Sequence, residues 1–348
     1  MPDKITVAVL THAGGAHVSA YYEALAASAE TKDVVLCDPD GKYVEMARTM
    51  LKDKLVDVVK TPAEVFTKHK PGMALVTYEA ALAPPVIEAC LDAGVHVFAE
   101  KPACVKAEDF AALKKKADAK HLQLMLAFAN RLNPPILEAQ RLIKTGKLGS
   151  IYSLEMHLVA DQTRLKNPAY HKNWFASKAR AGGGNLIWLG IHYVDLAMYI
   201  TGNRIVEVAG FAGNVGKQPL DVEDSSAVAM KFDNGTFGTY TSGFYLDKGY
   251  QSVIHIWGSH GWLKLSAHGE KDFLYYSTKI DGESKVVHYD GPFEPSGYTP
   301  FVQAAVRGCA GLQEPPINSE DSLRTLKTVF AFYKAAETGR SQRVEQDS

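Results

Sequence analysis

The 348-residue chain has almost no net charge: Lys plus Arg number 38, Asp plus Glu 39, a balance of -1. No field of one sign is therefore available to hold nucleic acid or an anionic membrane without a local cluster. The one basic run, Lys114-Lys115-Lys116, falls on an expected helix and reads as a solvated face. Cysteine is scarce. Cys37, Cys90, Cys104 and Cys309 show neither CxxC nor Cys/His spacing, so no metal site and no disulfide framework is expected. Reduced, mostly buried thiols fit a cytoplasmic protein. No stretch reaches the roughly 18 uninterrupted apolar residues that a membrane span needs. The apolar run in MPDKITVAVLTHAGG is preceded by Asp3 and followed by no clear small-residue cleavage site, so no secretory leader is expected. Internal repeats and low-complexity linkers are also missing.

The chain is longer than the commonest single-domain size, so two domains are expected. Over residues 1–130, strand and helix signals alternate. ITVAVL (Ile5–Leu10), DVVLC (Asp33–Cys37), Val56–Val59, MALVT (Met73–Thr77) and His96–Ala99 are short apolar runs, each followed by helical spacing. Near-continuous apolar strands belong to parallel sheets covered on both faces. A doubly wound, Rossmann-type α/β domain follows. Over residues 131–340 the pattern changes to a helix at Ile136–Lys144, alternating strands from Ser153 to Tyr276, and helices near Leu189–Ile200 and Asp321–Thr338. The turns Asp233-Asn234-Gly235, Gly258-Ser259-His260-Gly261 and Asp281-Gly282 stand at hairpin spacing. This predicts an α+β domain with a large, mainly antiparallel open sheet, and a loose tail from about Arg340.

Thr11-His12-Ala13-Gly14-Gly15-Ala16 stands where a dinucleotide fold places G-x-G-x-x-G/A. Only the third place is met, by Ala16; Thr11 and Ala13 replace the first two glycines, so a glycine-rich structural turn is the competing reading. Asp38, just past the second strand, suits the adenosine ribose hydroxyls and would repel a 2′-phosphate, which favours NAD over NADP; it also suits a plain turn and helix cap. Thr77 ends the fourth apolar strand, MALVT. Glu100-Lys101-Pro102 follows the next strand at the carboxyl edge where open parallel sheets bind ligands, and the proline restricts the lysine backbone. A surface ion pair at a strand end is the simpler alternative. Further on, Ala181-Gly182-Gly183-Gly184-Asn185 leads into an apolar helix carrying Trp188, His192 and Asp195. His192 and Asp195, three residues apart, share a helix face; alternatively His192 is a hydrogen-bonded core histidine.

Together these stretches resemble the glucose-fructose oxidoreductase, inositol dehydrogenase and rhizopine-catabolism family, Gfo/Idh/MocA. The match runs in order through Ala89–Pro102, Phe128-Ala129-Asn130-Arg131, Leu142–Gly149, the segment AGGGNLIWLGIHYVDL, Glu223-Asp224-Ser225, Phe232–Gly235 and Gly258–Gly261. The resemblance implies NAD as cofactor, bound through Thr11–Ala16, Asp38, Thr77, Glu100 and Lys101. It also implies a catalytic pair, Lys101 between nicotinamide and substrate and His192 as acid or base, with Glu100 orienting the lysine. Where many members carry an aspartate four residues before the histidine, this chain has Trp188, which could stack on a sugar face or an aglycone, or fill core.

The segment Asp161–Phe175 (DQTRLKNPAYHKNWF) is rich in side chains that bind hydroxyls and stack on rings. Arg164, His171, Lys172 and Trp174 are its candidate substrate residues, joined by Lys101, Trp188, His192 and Asp195; a plain surface connection competes. The implied activity is NAD(H)-dependent oxidation or reduction at a secondary hydroxyl or ketone of a sugar, polyol or sugar derivative. Redox-assisted glycoside cleavage with retained NAD, and a non-catalytic sugar or nucleotide sensor, are the alternatives. An exposed apolar sheet face predicts a homodimer or homotetramer.

Overall fold

A computed structural model describes residues 4–269, 271–280 and 285–345; Asp3 and the Asp281-Gly282 turn lie outside them. In chain order the helices are α1 (Val18–Ala27), α2 (Val44–Leu51), α3 (Pro62–Lys68), α4 (Ala83–Asp92), α5 (Ala107–Ala119), α6 (Pro134–Lys144), α7 (Pro168–His171), α8 (Lys178–Ala181), α9 (Ile191–Thr201), α10 (Tyr298–Cys309) and α11 (Ser319–Thr338). Two compact units form. One gathers the described residues within Met1–Ala129, Ala179–Gly182 and Ser296–Leu323, the other those within Asn130–Lys178, Gly183–Pro295 and Arg324–Ser348.

The first unit is built on six parallel strands, β1 (Ile5–Thr11), β2 (Thr31–Cys37), β3 (Leu55–Val59), β4 (Met73–Thr77), β5 (His96–Ala99) and β6 (Leu124–Leu126), in the order β3-β2-β1-β4-β5-β6. Val7 to Thr11 and Val34 to Cys37 are wholly buried, as strands with neighbours on both edges and layers on both faces must be. The order runs outward in both directions from β1 and β4. That reversal opens the crevice beyond the strands' carboxyl ends where such sheets take ligands. Local chemistry sets the helix starts: Thr61 and Glu64 form a reciprocal capping box ahead of α3, with Pro62 at its first turn. Helix α10 belongs to this unit. Its TPFVQAAVRGC run is short and preceded by a Gly- and Pro-rich segment, and no helix was expected there.

The second unit holds β7 (Ile151–Asp161), β8 (Ile205–Gly213), β9 (Ser225–Phe232), β10 (Phe237–Leu246), β11 (Tyr250–Gly258), β12 (Gly261–Leu265), β13 (Phe273–Ser277), β14 (Val287–His288) and β15 (Gln342–Arg343). Their order is β14-β13-β12-β11-β7-β10-β9-β8-β15. Only β7 and β10 run parallel; the other pairs are antiparallel. Alternation decides the faces: Leu154, Met156, Leu158 and Ala160 are buried, while Glu155 between them is exposed. The opposite face carries the row Phe211, Ala227, Thr241, His157 and Val253 across five strands. The described part of the tail, residues 341–345, is not loose. β15 pairs with β8, Val344 N–H donates to the Val206 carbonyl at 2.9 Å, and Val344 is buried, because an unpaired β8 edge offers that segment a ladder.

Candidate active site

In the first unit, β1 delivers Thr11 to the sheet's carboxyl edge, and the turn closes through a 2.8 Å bond from Gly15 N–H to the His12 carbonyl. A Cβ at Gly15 would collide with Thr11 Oγ1, so close approach dictates glycine here. Thr77, buried at the end of β4, donates to the Ala16 carbonyl at 2.7 Å and accepts from Ala16 N–H at 3.0 Å. Its hydroxyl fastens the loop. The Asp40 carboxylate accepts from Ala13 N–H at 2.7 Å, and Tyr43 donates its hydroxyl to the Gly15 carbonyl at 2.9 Å. The His12 ring stacks on Tyr78 at 4.7 Å and accepts at Nε2 from Glu79 N–H at 3.0 Å. Burial pushes the His12 pKa down against the pull of Glu79 and Asp40. Glu79 is in turn paired with Arg180.

Asp38 is fully buried, and only its Oδ2 is satisfied, by Tyr43 N–H at 2.8 Å. Its Oδ1 has no hydrogen-bond partner. A buried carboxylate oxygen left bare is costly. Ribose hydroxyls are donors of the kind it lacks, so this end of the crevice fits an adenosine dinucleotide.

Glu100 and Lys101 leave β5 at the same edge, each 1% exposed, with Lys101 Nζ 3.9 Å from Glu100 Oε1. The Lys101–Pro102 bond is cis. Burial lowers the Lys101 pKa to about 8 although Glu100 opposes it. Burial alone would raise the Glu100 carboxyl; the His17 charge and hydrogen bond, the Lys101 ammonium and the Tyr21 hydroxyl outweigh it and hold it below the usual range.

In the second unit Gly183 and Gly184 are explained by what lies against them. A Cβ on Gly183 would meet the Tyr333 ring, and one on Gly184 the Glu223 carbonyl. Glu223 accepts from Gly184 N–H at 2.7 Å, Leu186 N–H at 2.9 Å and the Tyr333 hydroxyl at 2.8 Å. Burial raises its pKa, and those donors oppose the rise. The helix expected from Leu189 begins as a wider π-turn, Leu186–Gly190, before α9; such turns recur at functional sites. Asn185 is fully buried, its Oδ1 taken by the Ser242 hydroxyl and its Nδ2 without a hydrogen-bond partner.

His192 lies half-buried on α9. Asp195, 1% exposed, is held by Arg131 through Nε at 2.9 Å and Nη2 at 2.6 Å, with Thr325 Oγ1 at 3.4 Å. Arg131 also stacks on Tyr199. The Asp195 carboxylate is thus occupied by a bidentate guanidinium. Trp188 sits in an aromatic cluster, 5.2 Å edge-on from Trp174 and 5.0 Å from Phe175. Trp174 is buried and Lys172 exposed. His171 Nε2 bonds the Leu165 carbonyl. Arg164 donates to the Tyr250 hydroxyl at 2.9 Å and lies over Phe244. Tyr250, His157, Lys248, Lys264 and His268 border a cavity of about 510 Å³.

Two family models match the chain: an oxidoreductase family with an NAD-binding Rossmann fold over residues 6–128, and the GFO/IDH/MocA C-terminal domain over residues 136–264. The chain belongs to the Gfo/Idh/MocA oxidoreductase family. Within it, the chain is 22% identical over 305 residues to myo-inositol 2-dehydrogenase of Thermotoga maritima, covering 85% of this chain and 87% of that protein. Among solved structures, levoglucosan dehydrogenase with NADH and levoglucosan has the same fold at a TM-score of 0.87, with 18% identity over 99% of this chain and 100% of that one. An oxidoreductase domain protein from Kribbella flavida also gives a TM-score of 0.87, at 20% identity and with 99% and 100% covered. Against this family background, His17, Tyr21, Tyr298 and Tyr333 were not among the expected residues. Nothing in their local spacing signals them, since their partners lie 79 to 281 residues away.

Proposed function

We propose that this family member is an NAD(H)-dependent dehydrogenase acting at a secondary hydroxyl or ketone of a sugar, polyol or sugar derivative, with Lys101 and His192 serving the reacting carbon. The observation that carries the reading is Lys101: a buried ammonium at the ligand edge of a parallel sheet, paired with the Glu100 carboxylate and brought by burial to a pKa of about 8. A bound nicotinamide would supply the hydride acceptor or donor. Lys101 would stabilise charge developing on the substrate oxygen through a charge-assisted hydrogen bond. The His192 imidazole would take or return the hydroxyl proton, the task for which histidine is suited near neutral pH. The names of the Thermotoga maritima relative and of the levoglucosan dehydrogenase structure point to the same substrate class. Incubation with NAD⁺ and a panel of sugars and polyols, followed by the absorbance of reduced nicotinamide, tests the reading. Silence across the panel by a protein that binds NAD⁺ would overturn it in this form.

NAD is proposed over NADP because a carboxylate just past β2, as at Asp38, would repel a 2′-phosphate. Asp38→Ala is expected to weaken NAD⁺ binding at least about tenfold, the worth of one hydrogen bond to a charged acceptor, and to narrow discrimination against NADP⁺. Calorimetric titration measures both. Unchanged NAD⁺ affinity would remove Asp38 from the site.

The same reading includes a homodimer or homotetramer formed through the exposed sheet face, where Phe211 is 81% and Phe237 62% exposed. The double change Phe211→Asp and Phe237→Asp should yield monomers by light scattering, and a wild-type monomer at micromolar concentration would exclude the proposal. The free thiols Cys37, Cys90, Cys104 and Cys309 support a cytoplasmic setting.

A further inference from the structure

His17 precedes α1 with a left-handed backbone, φ 56°, a conformation that histidine and asparagine tolerate better than most residues. Its Nδ1 lies 3.0 Å from Glu100 Oε2 and 3.0 Å from the Tyr298 hydroxyl, and its ring packs against Tyr298 at 4.8 Å. The Tyr21 hydroxyl donates to the same Oε2. The other carboxylate oxygen, Oε1, has no hydrogen-bond partner and faces Lys101 Nζ at 3.9 Å. Glu100 therefore has one oxygen supplied with two donors and one oxygen turned to the lysine.

Nδ1 can hold only one proton. With Glu100 ionised, that proton must point at Oε2, because a bare Nδ1 would set its lone pair against the carboxylate; the Tyr298 oxygen then accepts the second arm of the same bond. We propose that His17, oriented by Tyr298, is a positioning residue for Lys101: by donating to Oε2 it keeps Glu100 ionised and turned so that Oε1 holds the ammonium. The inference rests on the reading of Lys101 as the reacting lysine. A buried carboxylate stripped of donors takes up a proton, and Lys101 would then lose the stabilising charge of Glu100. Titratable groups gathered at the Glu100–Lys101 pair include, besides the two themselves, His17 ahead of α1, Tyr21 from α1, and Tyr298 from α10. Burial, and then the Glu100 charge, raises the pKa of both tyrosines, so they stay neutral over the range concerned.

The test is a ¹³C-lysine NMR titration of the full chain without added cofactor, with the Lys101 signal assigned by its absence in Lys101→Met. The wild-type midpoint is expected at about 8. His17→Gly removes the ring and relaxes the left-handed backbone; it should lower the midpoint by about one unit, a tenfold change in acidity. His17→Asn, whose amide can stand in for Nδ1–H, should restore the midpoint to within a few tenths. The alkaline limb of the kcat profile should move in parallel. A midpoint unmoved in folded His17→Gly overturns the proposal, and so does a shift that His17→Asn fails to reverse. Should His17→Gly not fold, Tyr298→Phe replaces it, with a smaller shift in the same direction expected and no shift counting against the proposal. Turnover retained by Lys101→Met would defeat the catalytic reading alone, since the NMR midpoint judges the coupling without any substrate.

Discussion

Lys101→Met should lower turnover by about a thousandfold while leaving NAD⁺ affinity within a few-fold, the range seen when one group stabilising a developing oxyanion is removed. Methionine keeps the length and apolar stem of the side chain and deletes only the ammonium. Asp38, the proposed ribose contact, lies just past β2 on the other side of β1 and keeps its own partner, Tyr43 N–H. The pH dependence has a definite sign. Burial lowers the Lys101 pKa to about 8, so the ammonium is present below that value and lost above it. Activity that needs the ammonium should therefore decline as pH rises through about 8, approaching tenfold per unit, whereas an ordinary exposed lysine would hold its charge to about 10. Single-turnover kinetics across pH 6 to 10 would read this limb. A variant that binds NAD⁺ and still turns over at the wild-type rate would exclude Lys101 from the chemistry. A non-catalytic sensor would show no turnover in either protein and an unaltered binding response.

Asp195→Ala is expected to cost about 3–5 kcal/mol of stability, because it leaves the Arg131 guanidinium buried without its carboxylate. The pair is bidentate, with side chains 5% and 1% exposed, so little water is available to replace the lost partner. Denaturant midpoints of the wild type, Asp195→Ala and Arg131→Met would measure the loss. Arg131→Met with Asp195→Leu should recover much of it, since removing both charges removes the unpaired ion. If Asp195→Ala were instead as stable as the wild type and only KM rose, the carboxylate would be a substrate ligand, the role for which Asp195 was a candidate.

Much of the architecture was legible residue by residue. The runs ITVAVL, DVVLC and MALVT are strands because uninterrupted apolar segments of that length bury only between two layers. Thr61-Pro62 begins a helix because a hydroxyl and a fixed φ suit its first turn. The alternation of β7 and β9 shows which residues face the helices. The Glu100-Lys101 pair and the glycine-led segment before His192 were also visible, as short strings whose order along the chain carried meaning. The pairing of Gln342–Arg343 with β8 was not visible, since a two-residue strand has no period to detect.

The sequence by itself determined the parallel and the mainly antiparallel sheet, the family, and which side chains stand at the strand ends, because these follow from local periodicity and from motifs read within a few residues. Only the tertiary structure decided the state of those side chains. Asp38 Oδ1 is left without a partner, Arg131 takes Asp195, Tyr333 and Glu223 close on Gly183 and Gly184, and Tyr298 reaches His17 across 281 residues of chain. The physical reason is that ionisation and hydrogen bonding depend on burial and on whatever the fold brings within about 3 Å, and a linear string specifies neither until the core has closed.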